Sequence, residues 1–368
     1  MKSIKVKNVK IASVSFAPRL KNIEALENEA LKKSIGYIKY LNESVDVNAI
    51  LPMRSKFRVD FTIEDTCSGF ANGIRKCILD EIPIHSMTME NDSILTNDQY
   101  IISDVLQKNI ELIPILQDGP SIEEMKKWTL SLDILNSTDE VVMVKSGDLE
   151  INAGGRKIPI ESIMSPNITI IELHPAMYLK LRHVKIVTGV SKDDAAKFAT
   201  VSNTRYCIDS KFVPLAHSSE DKNPGRSSMV DDITAFSIGY TTYRNVNDPK
   251  IIIFRCCDSL IERLGAFKKE LKEVKTDTVI TYFSNLLDIE TRGEYKFFNF
   301  KNEAWTLVHM ISQYCYRLDN NIPFVAPSII HPSTSIGVVK IKHPNPLKII
   351  NDAISHLLID VEIFRKAF

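Results

Sequence analysis

Apolar residues recur along this chain with two periods, and the switches between them mark its elements. In "MRSKFRVDFTIED", Phe57, Val59, Phe61 and Ile63 alternate with polar residues, which predicts a strand with one buried face. In "FANGIRKCILDEIP" the period changes. Phe70, Ala71, Ile74, Ile78 and Ile82 form a helical stripe, Thr66 or Ser68 stands ready to cap it, and Pro83 ends it. Gly69 and Gly73 are poor helix formers, costing about 1 kcal/mol each relative to alanine. Small residues on one face also let another helix come close. Residues 1–16 read as an opening strand, and Ile23 to Leu41 carry mostly helical spacing.

Residues 85–225 read as β-rich. "WTLSLDILNS" and "EVVMVKSGDLEINAGGRKIPI" predict strands, with Gly154-Gly155 as a hairpin turn. Two more strands flank His174-Pro175. The polar stretch 217–232 is the clearest loop or boundary. "PKIIIFRCC" reads as a buried strand. It leads into a helix bearing Leu260, Ile261, Leu264, Phe267 and Leu271, with Asp258 or Ser259 as cap. "TVITYFSNLL" reads as helical. "EYKFFNFKNE" is a strand, and "WTLVHMISQYCYRL" is a helix with Leu307, Met310, Ile311, Tyr314 and Leu318 on one face. "NIPFVAPSIIHP" is extended and "SIGVVKIKH" is a strand. Asn345 and Pro346 open a long helix carrying Leu347, Ile350, Ile354, Leu357, Leu358, Val361 and Phe364.

A strand–helix unit ending in a long helix thus occurs twice, once split around the β-rich segment and once compactly. Long helices with broad apolar stripes must be covered. Burying them in each other would make the chain an intramolecular pseudo-dimer of α+β class.

Composition narrows the chemistry. The 368 residues are 44% hydrophobic and 25% charged, with 46 basic and 46 acidic side chains. The formal net charge of zero argues against a protein that grips long nucleic acid by itself, so DNA contact is expected to be indirect. The six cysteines form no C-x-x-C pair, and no zinc site or disulfide framework is expected from their spacing. Cys256-Cys257 reads as a pair of small buried apolar residues rather than a redox pair. The N-terminus lacks the apolar core of a signal peptide, and no apolar run approaches a membrane span, so an intracellular protein with no membrane partner is expected. There is no Gly-rich phosphate loop, no H-E-x-x-H, no nucleophile elbow and no aspartate cluster. No catalytic centre, metal or cofactor is expected.

"ANGIRKCILDEIP" (71–83) resembles the signature of the alpha-like subunits of multisubunit RNA polymerases, Ala-Asn-x-(Leu/Ile)-Arg-(Arg/Lys)-x-(Ile/Leu)-x-x-Glu-(Ile/Val)-Pro. Asn72, Ile74, Arg75, Lys76, Ile78, Glu81, Ile82 and Pro83 fall in register. "LIPI" (112–115) and "VKSGDLEI" (144–151) resemble further family stretches. "KNEAWTLVHMI" (301–311) and "FVAPSIIHP" (324–332) resemble the small partner of that subunit at Glu303, Thr306, Leu307, Ala326, His331 and Pro332. The two families normally occur as separate chains. Their fusion in this order resembles that of large nucleocytoplasmic DNA viruses, which implies a virion or cytoplasmic viral factory; otherwise the nucleus is implied.

The resemblance covers about residues 51–368 and implies a division of the chain. Residues 1–50 would be an N-terminal extension, and 51–84 with 226–290 a split alpha-like dimerisation domain. Residues 85–225 would be the β-rich insert, and 291–368 a second, small-partner-like dimerisation domain. It implies a non-catalytic platform subunit of a DNA-directed RNA polymerase. Its partners would be the largest and second-largest subunits and small polymerase subunits.

Phe70, Ile74, Ile78, Leu260, Leu264, Leu307, Met310, Ile311, Tyr314 and Leu357 would form the intramolecular core. Asn72, Arg75, Lys76 and Glu81 would dock the second-largest subunit. Without the resemblance, Arg75 and Lys76 read first as a solvated helix face; the resemblance reverses that reading. Glu81 opposes the helix dipole at a C-terminus, which points to a cation on a neighbouring subunit. His331-Pro332 would edge the core. The family's cysteine cluster is missing from the insert, where only Cys207 falls. Ala304, Trp305 and Val308 depart from the small-partner motif. The departures imply that the pairing core survives and that the local polar bonding of the original pair does not. The alternative is a free-standing interaction adaptor with the same fold.

Overall fold

Among the described residues, three larger β-sheets, a two-stranded ribbon and a set of helices follow from these periods. The computed structural model describes residues 3–14, 56–199, 201–208, 234–242, 246–274, 281–331 and 334–368. The helix expected at 23–41 and the polar loop at 217–232 lie outside them. The class is α+β.

The first sheet is antiparallel, in the order β1 (Lys5–Val14), β2 (Lys56–Glu64), β12 (Phe236–Thr242), β11 (Val201–Ile208). Val59, Phe61 and Ile63 of β2 join Phe236, Ile238 and Tyr240 of β12 on the buried face. Helix α1 (Ser68–Lys76) follows β2 directly, and a single π-type turn, Cys77–Glu81, continues it to Ile82.

The second sheet has six strands. Its path runs β3 (Ile84–Thr88), β10 (Tyr178–Gly189), β5 (Thr129–Leu135), β7 (Glu150–Ala153), β8 (Arg156–Ile158), and β4 (Ile94–Thr96) also pairs with β10. Gly154 and Gly155, at φ +60° and +90°, make the expected two-residue turn between β7 and β8. A ribbon of β6 (Val142–Lys145) and β9 (Thr169–Leu173) and helix α2 (Ser103–Glu111) complete this unit. It has its own core, including Leu106, Ile110, Leu130, Leu132, Leu179 and Leu181.

The third sheet runs β13 (Thr281–Phe283), β14 (Leu287–Arg292), β15 (Tyr295–Lys301), β17 (Ile336–Lys342), β16 (Phe324–Ile329). Helix α3 (Lys250–Glu273) follows the first sheet, and α4 (Trp305–Leu318) and α5 (Pro346–Lys366) belong to the third. One hydrophobic core joins the first sheet, the third sheet and all four helices α1, α3, α4 and α5. Phe61 of β2 lies 5.5 Å from Phe364 of α5, and Phe267 of α3 lies 4.9 Å from Phe300 of β15.

Several sequence expectations change. "PKIIIFRCC" is not a strand but the first two turns of α3, so Asp258 and Ser259 are interior and Pro249 stands at the cap. Its β-branched run mimics a strand. Yet Ile252, Ile253, Cys256, Cys257, Leu260 and Leu264 are buried at helical spacing, and packing overrides propensity. The described part of "TVITYFSNLL" forms β13 and the start of β14, because its aromatic pair Tyr282-Phe283 sits on a sheet edge.

Hydrogen bonding also redraws the boundaries. β1 comes from the segment read as an extension, but it pairs with β2. β11 and Cys207 lie in the first sheet, not in the insert. β13 and most of β14 lie within 226–290 but pair into the third sheet. His331 is exposed beyond the end of β16 and does not edge the core; Pro332 lies outside the described residues.

The insert is fastened at α3 by Arg255 and, just before the helix, by Asp118, which accepts from Asn247 N and Asp248 N. The Arg255 guanidinium donates to the Pro83 carbonyl at 3.1 Å and to the Gln117 carbonyl and side-chain oxygen. Gln117 in turn accepts from His85 N at 2.9 Å and donates to His85 O at 3.0 Å. Burial first, and then the Arg255 charge, lower the His85 pKa to about 4. The unfolded chain therefore holds a proton here that the fold lacks between pH about 4 and 6.5, so this group makes stability rise across that window. His85→Gln is expected to flatten that rise, read as the difference in urea midpoint from the parent at pH 4.5 and 7. A parallel pH response in both proteins would contradict it.

Candidate interface site

The stripe on α1 meets a complementary stripe on α4. Positions 306, 310, 313 and 317 of α4 recur every three to four residues, so they face one neighbour. Met310 packs where a Cβ on Gly73 would overlap its sulfur. A Cβ on Gly69 would lie 2.7 Å from Gln313 Oε1. The two glycines therefore set the closeness of the two helices. Gly69 N donates to Gln313 Oε1 at 2.6 Å, and the Ser68 hydroxyl lies 3.2 Å from the same oxygen. The start of α1 is thus capped by α4, not by Thr66 or Ser68. Arg317 reaches back to the Asp65 carbonyl at 2.8 Å.

The residues read as a core lie together. Phe70, Ile74, Ile78, Leu260, Leu264, Leu307, Met310, Ile311, Tyr314 and Leu357 are all fully buried and share one cluster. Phe70 lies 6.2 Å from Tyr314, whose hydroxyl donates to the buried Asp360 at 2.6 Å. Cys256 and Cys257 are likewise fully buried, and burial pushes the Cys257 thiol up to about 12. They pack as small apolar groups in α3.

The four residues read as a docking set divide. Asn72, Arg75 and Lys76 are half-exposed on α1, whereas Gly73 and Ile74 between them are buried. Arg75 Nε donates to Asn72 Oδ1 at 2.9 Å, and Lys76 Nζ pairs with Asp80 at 2.5 Å. These contacts engage both cations within α1 and the turn that follows it.

Glu81 does something else. Its side chain is 9% exposed, and both oxygens are taken by this same chain. Arg263 Nη2 lies 2.8 Å from Oε2, and the Thr306 hydroxyl donates to Oε1 at 2.5 Å. The cation expected on a neighbouring subunit is Arg263 of α3. Arg263 Nη1 also pairs with Glu303 at 3.0 Å, and Glu303 is 4% exposed. A local polar contact is therefore present despite the departures at Ala304, Trp305 and Val308, because Glu303 and Thr306 supply it.

Two carboxylates therefore share one guanidinium at the junction of α1, α3 and α4. Burial works against the Arg263 charge, but Glu303 and Glu81 outweigh it and raise its pKa. Burial lifts the Glu303 carboxyl to about 7, Arg263 opposing and Glu81 adding to the rise. Sequence reading missed Arg263 and Gln313. A charge adjoining Leu264 on an apolar stripe was the available signal for Arg263; Gln313 offered none.

Neither a protein-family model nor a curated protein matches this chain. Among the described residues, no helix is long and apolar enough to cross a membrane.

Arg263→Met strands two buried carboxylates. It is expected to cost on the order of 3–5 kcal/mol, whereas Arg263→Met with Glu81→Gln and Glu303→Gln should recover most of that loss. Chemical unfolding of the three proteins at pH 7.5 measures both, and an unrecovered triple variant would show that the cations and carboxylates act separately.

Proposed function

We propose that this chain is a non-catalytic assembly platform of a multisubunit DNA-directed RNA polymerase, built as an intramolecular pseudo-dimer of two alpha-like halves. One observation carries the reading. Glu81, from the segment resembling the larger alpha-like partner, accepts directly from Thr306 and shares Arg263 with Glu303, both from the segment resembling the smaller. Segments more than two hundred residues apart, read separately as halves of a pair, thus meet at one buried contact. The repeated order supports the same view: β2 leads into α1 as β15 leads into α4, and α3 and α5 pack on each other.

On this reading the outward face of α1, with Asn72, Arg75 and Lys76, receives the second-largest subunit. An arginine fork suits such a surface because it donates several hydrogen bonds in fixed directions. The third sheet and its helices lie toward the largest subunit, and small subunits complete the assembly. DNA is touched only through these neighbours. The platform acts in a virion, a cytoplasmic viral factory or a nucleus, wherever that polymerase works. It contributes to transcription by holding the two catalytic subunits at a fixed separation.

Arg75→Ala with Lys76→Ala removes two half-exposed cations without touching the core. Affinity capture from cells, with co-purifying chains identified by mass, should recover the second-largest subunit about tenfold less well, equivalent to about 1.4 kcal/mol of interface. Undiminished recovery would remove this face from the interface. Capture with no polymerase subunit in either protein would favour a free-standing adaptor.

A further inference from the structure

The Arg263 cluster has an odd number of charges in a buried place. One guanidinium faces two carboxylates, Glu81 from the π-type turn after α1 and Glu303 from the segment leading into α4. The other groups around it do not restore balance. The Thr306 hydroxyl is neutral and is already committed to Glu81. Cys77, which touches the field of Arg263, is a fully buried thiol. Lys192 is the remaining cation acting on Glu303, and it acts more weakly than Arg263. With both acids ionised, Glu303 would share its cation with a competitor after giving up its water. A buried acid in that position reaches neutrality by keeping its proton.

We propose that the contact between α1 and α4 is a proton-held clasp. One proton on the Glu303 side of the shared guanidinium lets the first turn of α4 seat fully on the Glu81 turn, and its release above neutral pH loosens that seating. The geometry gives the reason the effect is local. Glu303, Thr306 and Gly337 meet at the N-terminal end of α4, where a Cβ on Gly337 would lie 3.3 Å from the Glu303 carbonyl and 2.6 Å from Val308. Backbone movement at Glu303 therefore cannot be absorbed there and passes into α4. The raised carboxyl of Glu303 places release of the proton in the fold near pH 7, and between pH about 4.5 and 7 the fold keeps a proton that the unfolded chain has released. Stability from this group is full below that window and falls as pH rises through it.

Other groups also shift on folding, so the test is a difference between proteins. His85 and His309, both lowered by burial, work in the opposite direction, and Asp360, whose carboxyl burial raises, works in the same one. Hydrogen–deuterium exchange of the full chain, corrected for intrinsic rates, should show peptides covering 77–83 and 301–311 opening about tenfold more readily at pH 8 than at pH 6. Glu303→Gln should hold those peptides equally closed at both values, and Asp360→Asn should leave the parent response unchanged. In unfolding titrations the same glutamine should erase up to about a hundredfold of pH-dependent loss in the folded-to-unfolded ratio. An unaltered pH response in Glu303→Gln would overturn the proposal. Should that variant not fold, carboxyl carbon NMR of the glutamate-labelled parent decides the matter. A resonance titrating near 7 supports the clasp, and all resonances titrating below 5 exclude it.

Discussion

The distance between α1 and α4 is fixed by two missing side chains. Gly69 and Gly73 let Gln313 and Met310 occupy space that any Cβ would claim. Everything else at the junction depends on that approach. Gln313 can cap the start of α1 only at this spacing, Phe70 can reach Tyr314 only then, and Glu81 can accept from Thr306 only then. The helix-propensity cost of two glycines is offset by packing they alone permit.

A buried junction built on close packing still needs a way to fix direction, and the polar contacts supply it. Apolar burial is non-directional, whereas Arg263 must place one guanidinium nitrogen on each of two carboxylates at once. Gln313, Arg317 and Thr306 lie along one face of α4 and each reaches a different point on the α1 segment. A slide of α4 by one turn would break all of them together. The insert is joined to the same core in another manner, through Arg255 and Gln117, and keeps a separate hydrophobic centre. Phe198 of the same segment packs in the first core as well.

Periodicity located α1, α4, α5, β2, β15 and β17, because each alternates or repeats over enough residues for one face to be unambiguous, and it read β16 only as extended. It failed at Ile251–Phe254. There four consecutive apolar residues fit either period, and only the burial of Cys256, Leu260 and Leu264 on the same side shows a helix. It failed again at Thr281–Phe283, where a strand of three residues is too short to display its period. The domain edges at 201–208 and 281–292 were illegible for a different reason. A strand's sequence says that it pairs, not with which neighbour.

The sequence by itself determined which residues leave water, and that is why every residue read as core lies in one cluster. It also determined where glycine and proline interrupt or terminate elements, since those limits are local to the backbone. Tertiary structure alone decided the partner of Glu81. A carboxylate at the end of a helix carries no record of whether its cation comes from another molecule or from a helix far along the same chain. The same holds for the guanidinium that Glu81 shares with Glu303. Charge balance is a property of a volume, and that volume is assembled only when α1, α3 and α4 converge.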